Sequence, residues 1–488
     1  MRTSSFGLRW RVGSLLAWML VLLLGGTPSV AASQAASGPV AGYVSDYVAA
    51  VNGVDPAVVA RFATVDLSAD FDQPHATPVV QRFFASQRRL TGGITALGFR
   101  YEDAAQTRGV FAFKDAIYGG VRAVEFNFDA TPERRITSFT FVSAPDWATA
   151  SQAKLTPAQV ASRAARRIER GCRAGVFSGA FLVAYRQRVL VQRACGEASQ
   201  RYHAANQVST RFNIGSMNKM FTAVAVAQLV EQGRVSLADP LGKFLDETWL
   251  ARPILDQVTV GELLSMTSGL QDYFDAAPFA SLQMNRTLDA YKPLFRGLKV
   301  VAAPGAGYVY SDTAYFLLGL VVQKSSGEDY YDYIRRHIYA PAGMTSTDSY
   351  ALDGPAPDLA TGYVYSPSAK GWSENLTGVS LRGTPDGGGY STVGDLRRFA
   401  EALASGKLVK PASLALLLRD HRPPSGTGFY VLDTPAGRIV GKDGFGPGIS
   451  AEMDLYLDAG WLVVSLSNYD DGARAPLEAT RADIFAVR

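Results

Sequence analysis

Cysteine and histidine are scarce in this chain of 488 residues. It contains two cysteines, Cys172 and Cys195, and four histidines. Neither cysteine has the histidine or acidic neighbours of a catalytic thiol. No HExxH or paired-histidine spacing supplies a metal site. The sequence therefore gives no basis for thiol or metal chemistry, and we expect neither a metal nor another cofactor.

Clusters of basic residues and nucleotide-binding loops are also missing. The net charge is +4, and leaving out Arg2, Arg9 and Arg11, three charges in a segment that we expect to be removed, gives +1. A nearly neutral protein without a basic patch has no electrostatic reason to bind nucleic acid. No P-loop, dinucleotide fingerprint or G-x-S-x-G elbow occurs, which argues against NTPases, Rossmann enzymes and α/β-hydrolases.

Residues 1–36 are typical of a secretory signal peptide. Basic residues precede the apolar run from Ser14 to Leu24, and small residues follow at 29–33 and 35–37. The run is about half the length of a membrane-spanning helix, and an uncleaved anchor is the alternative. We predict export to the periplasm or the medium, with no stable membrane span after cleavage.

Residues 37–150 are predicted to form a small α+β domain. Three segments show helical spacing of apolar residues, and four segments rich in β-branched and aromatic residues follow, separated by turns. The segments are 43–51, 57–65, 79–90, 94–103, 107–116, 120–129 and 135–143. This order of elements resembles the NTF2-like or SnoaL-like fold. No catalytic constellation is evident in this domain.

Residues 151–170 are interpreted as a linker and first helix, and residues 171–488 as one mixed α/β domain. A β-hairpin is predicted near its start, flanked by Cys172 and Cys195. In an oxidising compartment the two cysteines are placed to form a disulfide, and two free buried thiols are the alternative. Further strands and a final helix are predicted at 437–441, 448–457, 461–467 and 474–486.

The segment around Ser216 predicts a nucleophile at the start of a buried helix. Ser216 and Lys219 lie three residues apart, on one face of a helix whose next two turns are nearly all apolar. A serine hydroxyl needs a base within hydrogen-bond reach, and the positive helix end favours a developing anion. A helix-capping serine beside a solvated lysine is the alternative. Ser151 and Lys154 repeat the S-x-x-K spacing, but in the linker, and we interpret that copy as chance.

Several blocks in the expected order resemble the class C β-lactamases, D,D-peptidases and related esterases. They cover roughly residues 170–470 and are the segments 214–222, 263–270, 304–319, 341–345 and 387–395. This resemblance implies a β-lactamase/D,D-peptidase-like α/β fold, an antiparallel sheet flanked by helices with a helical subdomain. The small NTF2-like domain would precede it.

The resemblance also assigns partners to the serine. It implies that Tyr310 takes the Ser216 proton and later donates to the leaving group. We expect the Lys219 ammonium to lower the pKa of this phenol. Relatives usually carry Asn where this chain has Asp312, and a carboxylate there would keep Lys219 protonated, leaving Tyr310 as the main base.

The segment Lys442-Asp443-Gly444-Phe445 resembles the strand motif that lines the other side of such sites. The resemblance implies that Lys442 attracts a substrate carboxylate and that Gly444 allows close approach of the substrate backbone. The backbone N–H groups of Ser216 and Phe445 would form the oxyanion hole. Asp443 replaces a Thr or small residue and is expected to weaken anion binding. A surface turn in a glycine-rich hairpin is the alternative. Met266 stands where many relatives have His.

Together these features predict a serine hydrolase that acts through an acyl-enzyme on Ser216. The substrate is a small molecule or peptide carrying an ester or amide: a small ester, a D-amino-acid peptide or a β-lactam. A penicillin-binding-like sensor without turnover is the alternative. Asp312 and Asp443 favour ester or peptide cleavage over efficient lactam hydrolysis. The oligomeric state and the role of the N-terminal domain are left open.

Overall fold

The computed structural model describes residues 38–487, apart from 54, 69–72, 143, 150–153, 276–284, 367–370, 420–426 and 435. The predicted signal peptide and the second S-x-x-K serine, Ser151, lie outside the described residues. Within the described ranges, no helix combines the length and apolar character needed to cross a bilayer.

The N-terminal region contains three helices followed by four strands, in the order that the sequence predicts. The strands pair in sequence order, β1-β2-β3-β4, and every pair is antiparallel. The elements are α1 (Pro39–Asn52), α2 (Pro56–Arg61), α3 (Gln73–Thr91), β1 (Ile94–Tyr101), β2 (Arg108–Asp115), β3 (Val121–Phe128) and β4 (Ile136–Val142). Short turns between consecutive strands rich in β-branched and aromatic residues favour such a meander. The likeness to the NTF2-like fold stays a prediction.

The core of this region is aromatic. Tyr47 on α1 is buried, and its ring meets those of Phe84, Phe111 and Phe126 edge-on at 5.4–5.9 Å between centroids. Edge-to-face contacts of this kind add to the stabilisation from burial. The helices and the sheet are thereby joined around one core.

The rest of the chain builds a larger mixed α/β unit. The short helix α4 (Asp146–Thr149) comes first and packs through Trp147 and Ala148 against the N-terminal sheet. The elements of the larger unit are α5 (Pro157–Arg173), β5 (Gly179–Tyr185), β6 (Arg188–Cys195), β7 (Glu197–Ser199), β8 (Ala204–Ala205), β9 (Phe212–Asn213), α6 (Asn218–Glu231), α7 (Arg252–Gln257), α8 (Val260–Leu264), α9 (Lys292–Phe295), α10 (Asp312–Ser326), α11 (Tyr330–Ile334), α12 (Ala340–Ala342), β10 (Tyr363–Ser366), β11 (Gly371–Glu374), β12 (Tyr390–Ser391), α13 (Val393–Ala404), α14 (Pro411–Leu417), β13 (Tyr430–Thr434), β14 (Gly437–Gly446), β15 (Ile449–Tyr456), β16 (Trp461–Ser467) and α15 (Arg474–Phe485). The helix α5 extends three residues beyond the predicted boundary at 170.

A six-stranded antiparallel sheet of order β13-β14-β15-β16-β5-β6 forms the centre of this unit. Its central strands β15, β16 and β5 are buried on both faces. Residues of α5 and α15 pack against one face, and residues of α6, α10 and α13 pack against the other. The predicted fold class, an antiparallel sheet flanked by helices, is confirmed.

The hairpin β5–β6 carries one of the two cysteines at its end. Cys195 is the last residue of β6, and Cys172 lies in the last turn of α5. The two residues form a disulfide, which ties the first helix of this unit to its edge strand.

The two units contact each other through polar and apolar groups. Arg167 on α5 donates to the backbone oxygen of Tyr118 at 2.9 Å. The Tyr118 side chain is buried against Val176 and Ala479. Arg89 on α3 lies over the ring of Tyr365, 4.7 Å from its centroid. These contacts fix the N-terminal unit against the large one.

Candidate active site

Ser216 lies in a single 3-10 turn, Gly215–Met217, directly before α6. The helix is buried on nearly all sides because its Ala and Val residues fill the core between the sheet and the other helices. A buried helix of this kind is a rigid support for the serine at its N-terminus. Gly215 has a φ of +48°, a left-handed conformation that favours glycine.

The structure brings Ser216, Lys219 and Tyr310 together. The Ser216 Oγ lies 2.7 Å from the Tyr310 hydroxyl oxygen and 3.0 Å from the Lys219 Nζ. Tyr310 precedes α10, whose N-cap Ser311 accepts a hydrogen bond from the N–H of Ala314. Two helix starts, of α6 and α10, therefore face each other across the serine hydroxyl.

Lys219 is held as an ammonium ion. Its side chain is 0% exposed, and Nζ donates to Ser216 Oγ, to Asp312 Oδ1 at 2.5 Å and to the backbone oxygen of Asp386 at 2.6 Å. Three acceptors use all three protons of an ammonium, whereas a neutral amine carries two. Burial alone would lower the pKa of Lys219, but Asp312 and Asp386 outweigh it and raise the pKa.

Tyr310 differs from our expectation for its pKa. Lys219 Nζ lies 5.0 Å from the ring centroid, but it does not lower the pKa of the phenol on balance. Burial, followed by the charge of Asp312, raises the pKa of Tyr310 well above its ordinary value. The expected lowering is therefore wrong, because burial and the negative charge of Asp312 both favour the neutral phenol. The resting Tyr310 is a neutral phenol at neutral pH.

Two further carboxylates surround Lys219 that the sequence analysis missed. Asp272 Oδ2 accepts from the backbone N–H of Asp312 at 2.8 Å. Asp386 Oδ2 accepts from the hydroxyl of Tyr273 at 3.1 Å. Burial first, and then the charge of Asp312, raises the pKa of both Asp272 and Asp386. The lysine therefore sits in a buried acidic shell rather than beside one aspartate.

A sequence signal for these two residues exists. Asp272 comes two residues after the block at 263–270, and Asp386 comes immediately before the block at 387–395. The block at 387–395 also supports the serine turn, since the N–H of Ile214 donates to the backbone oxygen of Gly389 at 2.8 Å. Both aspartates flank blocks that resemble the family, but residue spacing alone does not distinguish them from other acidic residues.

The strand β14 lines the opposite side of the site. Lys442 is buried, with Nζ 5.7 Å from the ring centroid of Tyr310 and 3.1 Å from Asp443 Oδ1. Asp443 also faces Arg474 at 3.7 Å. Lys442 thus lies beside the tyrosine ring, and it already has a carboxylate partner.

Gly444 lets this strand pass close to the serine turn. A Cβ on Gly444 would lie 1.9 Å from the backbone oxygen of Ile214 and 3.1 Å from the nitrogen of Ser216. A Cβ on Gly215 would lie 3.1 Å from the nitrogen of Phe445. The backbone amides of Ser216 and Phe445 are therefore on neighbouring segments beside the hydroxyl.

Met266 packs against the segment that carries Tyr310. It has a φ of +55°, and its backbone oxygen accepts from the N–H of Val309 at 2.8 Å. Its sulfur accepts from the hydroxyl of Tyr308 at 3.3 Å. The side chain packs beneath the segment that carries Tyr310 and does not contact the serine hydroxyl in these interactions.

In the part of the chain that the structure describes, no group of three His, Cys, Asp or Glu side chains is arranged as a metal site.

The fold and the grouping of serine, lysine and tyrosine define a class: the serine hydrolases of the β-lactamase and penicillin-binding-protein superfamily. The sequence model of the Beta-lactamase family matches residues 165–487, which is more than half of the chain. The protein therefore belongs to the Beta-lactamase family and is a serine hydrolase, as the sequence resemblance predicts.

Individual relatives agree with this assignment. The chain is 30% identical over 315 residues to "Penicillin-binding protein 4*" of Bacillus subtilis (strain 168), covering 60% of this chain and 69% of that protein. It is similar to the crystal structure of a penicillin binding protein from Bacillus halodurans, with 29% identity, a TM-score of 0.58 and coverage of 63% and 95%. The D-amino acid amidase from Ochrobactrum anthropi SV3 shares the fold, with 23% identity, a TM-score of 0.59 and coverage of 66% and 98%.

Proposed function

We propose that this protein cleaves an ester or amide through a covalent acyl-enzyme on Ser216. One observation carries the proposal: the Ser216 Oγ is within hydrogen-bond distance of both Tyr310 at 2.7 Å and Lys219 at 3.0 Å. A nucleophile with a proton acceptor and a fixed cation in contact is the arrangement that acyl transfer requires.

A proton relay through Tyr310 fits a neutral phenol. As the Ser216 Oγ attacks the carbonyl carbon, its proton passes to the Tyr310 oxygen, and the phenol proton passes to the leaving atom. The bond between carbonyl carbon and leaving group then breaks. In the second half of the reaction, deacylation, water attacks the acyl carbon and passes a proton to the Tyr310 oxygen. The phenol proton of Tyr310 passes to the Ser216 Oγ as its bond to the acyl carbon breaks. Lys219 orients the hydroxyl and stabilises charge that develops on both oxygens.

The backbone N–H groups of Ser216 and Phe445 form the proposed oxyanion hole. The close passage of Gly444 supports this assignment, because it puts the two amides on adjoining segments. Fixed donors at the developing oxyanion are worth roughly 10²–10³-fold in rate. We place Asp312 as the residue that keeps Lys219 charged, and Asp272 and Asp386 as its supporting shell.

Small esters, D-amino-acid peptides and β-lactams remain the proposed substrate classes, since all three share the acyl-enzyme step. Asp312 and Asp443 favour esters or unusual peptides over β-lactams, because both put carboxylates where a lactam amide or its carboxylate would be bound. A protein that forms the acyl-enzyme and turns over an ester, but leaves a penicillin intact, would belong to the ester branch.

The test is turnover of 4-nitrophenyl acetate together with intact-mass analysis after incubation with a penicillin. Ser216→Ala should lower turnover by roughly 10⁴-fold or more and abolish any acyl adduct. Ser151→Ala is the matched control, since it removes the serine of the other S-x-x-K string and should leave both readouts unchanged. Full activity of the Ser216→Ala protein would refute the proposal.

We also infer that the chain is exported. The disulfide between Cys172 and Cys195 supports this, because such bonds persist in oxidising compartments. Intact mass of the protein from the periplasm or medium should show loss of residues 1–36 and of two hydrogens at the cysteines. Recovery of the protein only from the cytoplasm, as a full-length chain with two free thiols, would contradict export.

A further inference from the structure

Asp443 sits at the centre of a small charged group beside the proposed nucleophile, which we call the strand triad: Lys442, Asp443 and Arg474. The Asp443 carboxylate lies 3.1 Å from the Lys442 Nζ and 3.7 Å from an Arg474 terminal nitrogen. Both cations are thus directed at a carboxylate that the protein itself provides. The Arg474 guanidinium also lies over the Phe445 ring at 4.7 Å from its centroid, which fixes its position.

One member of the strand triad, Lys442, lies beside the phenol that protonates the leaving group in the proposed relay. In the proposed relay, Tyr310 gives its proton to the leaving atom, so that atom is within hydrogen-bond reach of the phenol. Lys442 Nζ lies 5.7 Å from the centroid of the Tyr310 ring. A leaving group that extends along β14 would therefore meet Lys442 and the Asp443 carboxylate bound to it.

The carboxylate of Asp443 is charged at neutral pH. Burial alone would raise the pKa of Asp443, but the charges of Lys442 and Arg474 outweigh it and hold the pKa below its usual range. A second carboxylate, brought by a substrate, would have to compete with this internal anion for the same cations. Like charges in a partly buried cleft repel strongly.

We propose that Asp443 is a specificity-determining residue that selects substrates whose leaving group carries no free carboxylate. The inference rests on the proposed function and narrows it to esters or amides with an uncharged leaving group. Phe445, 38% exposed beside the triad, offers an apolar surface to such a group. Lys442 then serves mainly to fix Asp443 and to face Tyr310, not to capture an anion.

The test compares two aryl phenylacetates that differ only at one meta position of the leaving phenol. One carries a carboxylate there and the other a carboxamide, which has a similar shape and no charge. The quantity measured is the ratio of kcat/KM for the anionic ester to that for the neutral ester. Using a ratio removes any change that affects both substrates alike.

Asp443→Asn and Asp443→Thr should each raise this ratio by about tenfold or more, equivalent to about 1.4 kcal/mol of transition-state stabilisation for the anionic ester. Arg474→Gln should lower the ratio, because it removes a positive charge that offsets Asp443, and the remaining negative charge repels the anionic ester. Charge effects move these variants in opposite directions, whereas general loosening of the site would move them in the same direction. Thermal melts establish that each variant is folded, and two substitutions at 443 guard against the failure of one.

An unchanged ratio in a folded Asp443 variant would overturn this inference and leave the proposed function intact. A ratio that moves the same way in the Asp443 and Arg474 variants would also overturn it. Absence of turnover of both esters by the unmodified protein would refute the proposed function and this inference with it.

Discussion

Replacing Gly444 with alanine would place a methyl group where β14 passes the serine turn. The added Cβ would lie 1.9 Å from the backbone oxygen of Ile214 and 2.7 Å from its carbonyl carbon. Both contacts are with backbone atoms, so no side-chain rotation relieves them. The strand and the turn would have to separate by about 1.1 Å to restore a 3.0 Å contact.

That separation acts directly on the proposed oxyanion hole. The amides of Ser216 and Phe445 lie on the two segments that are forced apart. A misplacement of about 1 Å costs roughly 10²-fold in rate, and loss of one oxyanion donor costs roughly 10²–10³-fold, or about 2.7–4 kcal/mol. We therefore expect Gly444→Ala to lower kcat by roughly 10²–10³-fold.

The assay is kcat on 4-nitrophenyl acetate, with the melting temperature and far-ultraviolet circular dichroism as checks of folding. Gly446→Ala is the matched control on the same strand. Its Cβ would meet the terminal carbon of the flexible Ile449 side chain at 3.2 Å, and its rate should stay within about threefold of the unmodified protein, since no catalytic segment moves. A folded Gly444→Ala protein with full activity would refute the placement of the oxyanion hole.

Three further predictions concern charge and cross-linking. Asp312→Asn should move the alkaline loss of ester turnover to lower pH, because Lys219 loses the carboxylate that keeps it protonated; an unmoved pH–rate profile would show that another group controls it. Burial raises the pKa of Glu452 from 4.5 to about 8. The folded chain holds this proton across that window while the unfolded chain releases it, so stability falls as pH rises from 4.5 to 8. Glu452→Gln should make the melting temperature decline less over this window, and an identical decline would contradict the assignment. Changing Cys172 and Cys195 to Ser together should lower the free energy of unfolding by about 3 kcal/mol, the expected value for a cross-link between residues 23 apart, with urea titration as the measurement and an unmoved midpoint as the contrary result.

Local sequence patterns were sufficient to predict most of the secondary structure. The segments predicted at 94–103 and 461–467 correspond to β1 and β16, because alternation or continuous apolar character within a few residues identifies a strand. The helix after Ser216 was evident for the same reason, since its apolar residues are consecutive. The two-residue strands β9 and β12 were not predicted, because each exists only through pairing with the other.

Electrostatics was the least predictable property. The sequence suggested that the Lys219 ammonium lowers the pKa of Tyr310, which is the wrong direction, because the burial of the phenol is not evident from the sequence. The backbone oxygen of Asp386 that binds Lys219 comes from 167 residues further along the chain. Asp272 and Asp312 come from two other segments. Burial, followed by the charge of Asp312, raises the pKa of Tyr310.

The sequence by itself determined the family, the order of the elements and the identity of Ser216, Lys219 and Tyr310 as candidates. These depend on short motifs and on periodicity, which neighbouring residues encode. Only the tertiary structure decided that Lys219 sits among several carboxylates and that Asp443 pairs with both Lys442 and Arg474. Charge interactions depend on distance and on exclusion of water, and folding sets both by joining segments that are far apart in the chain.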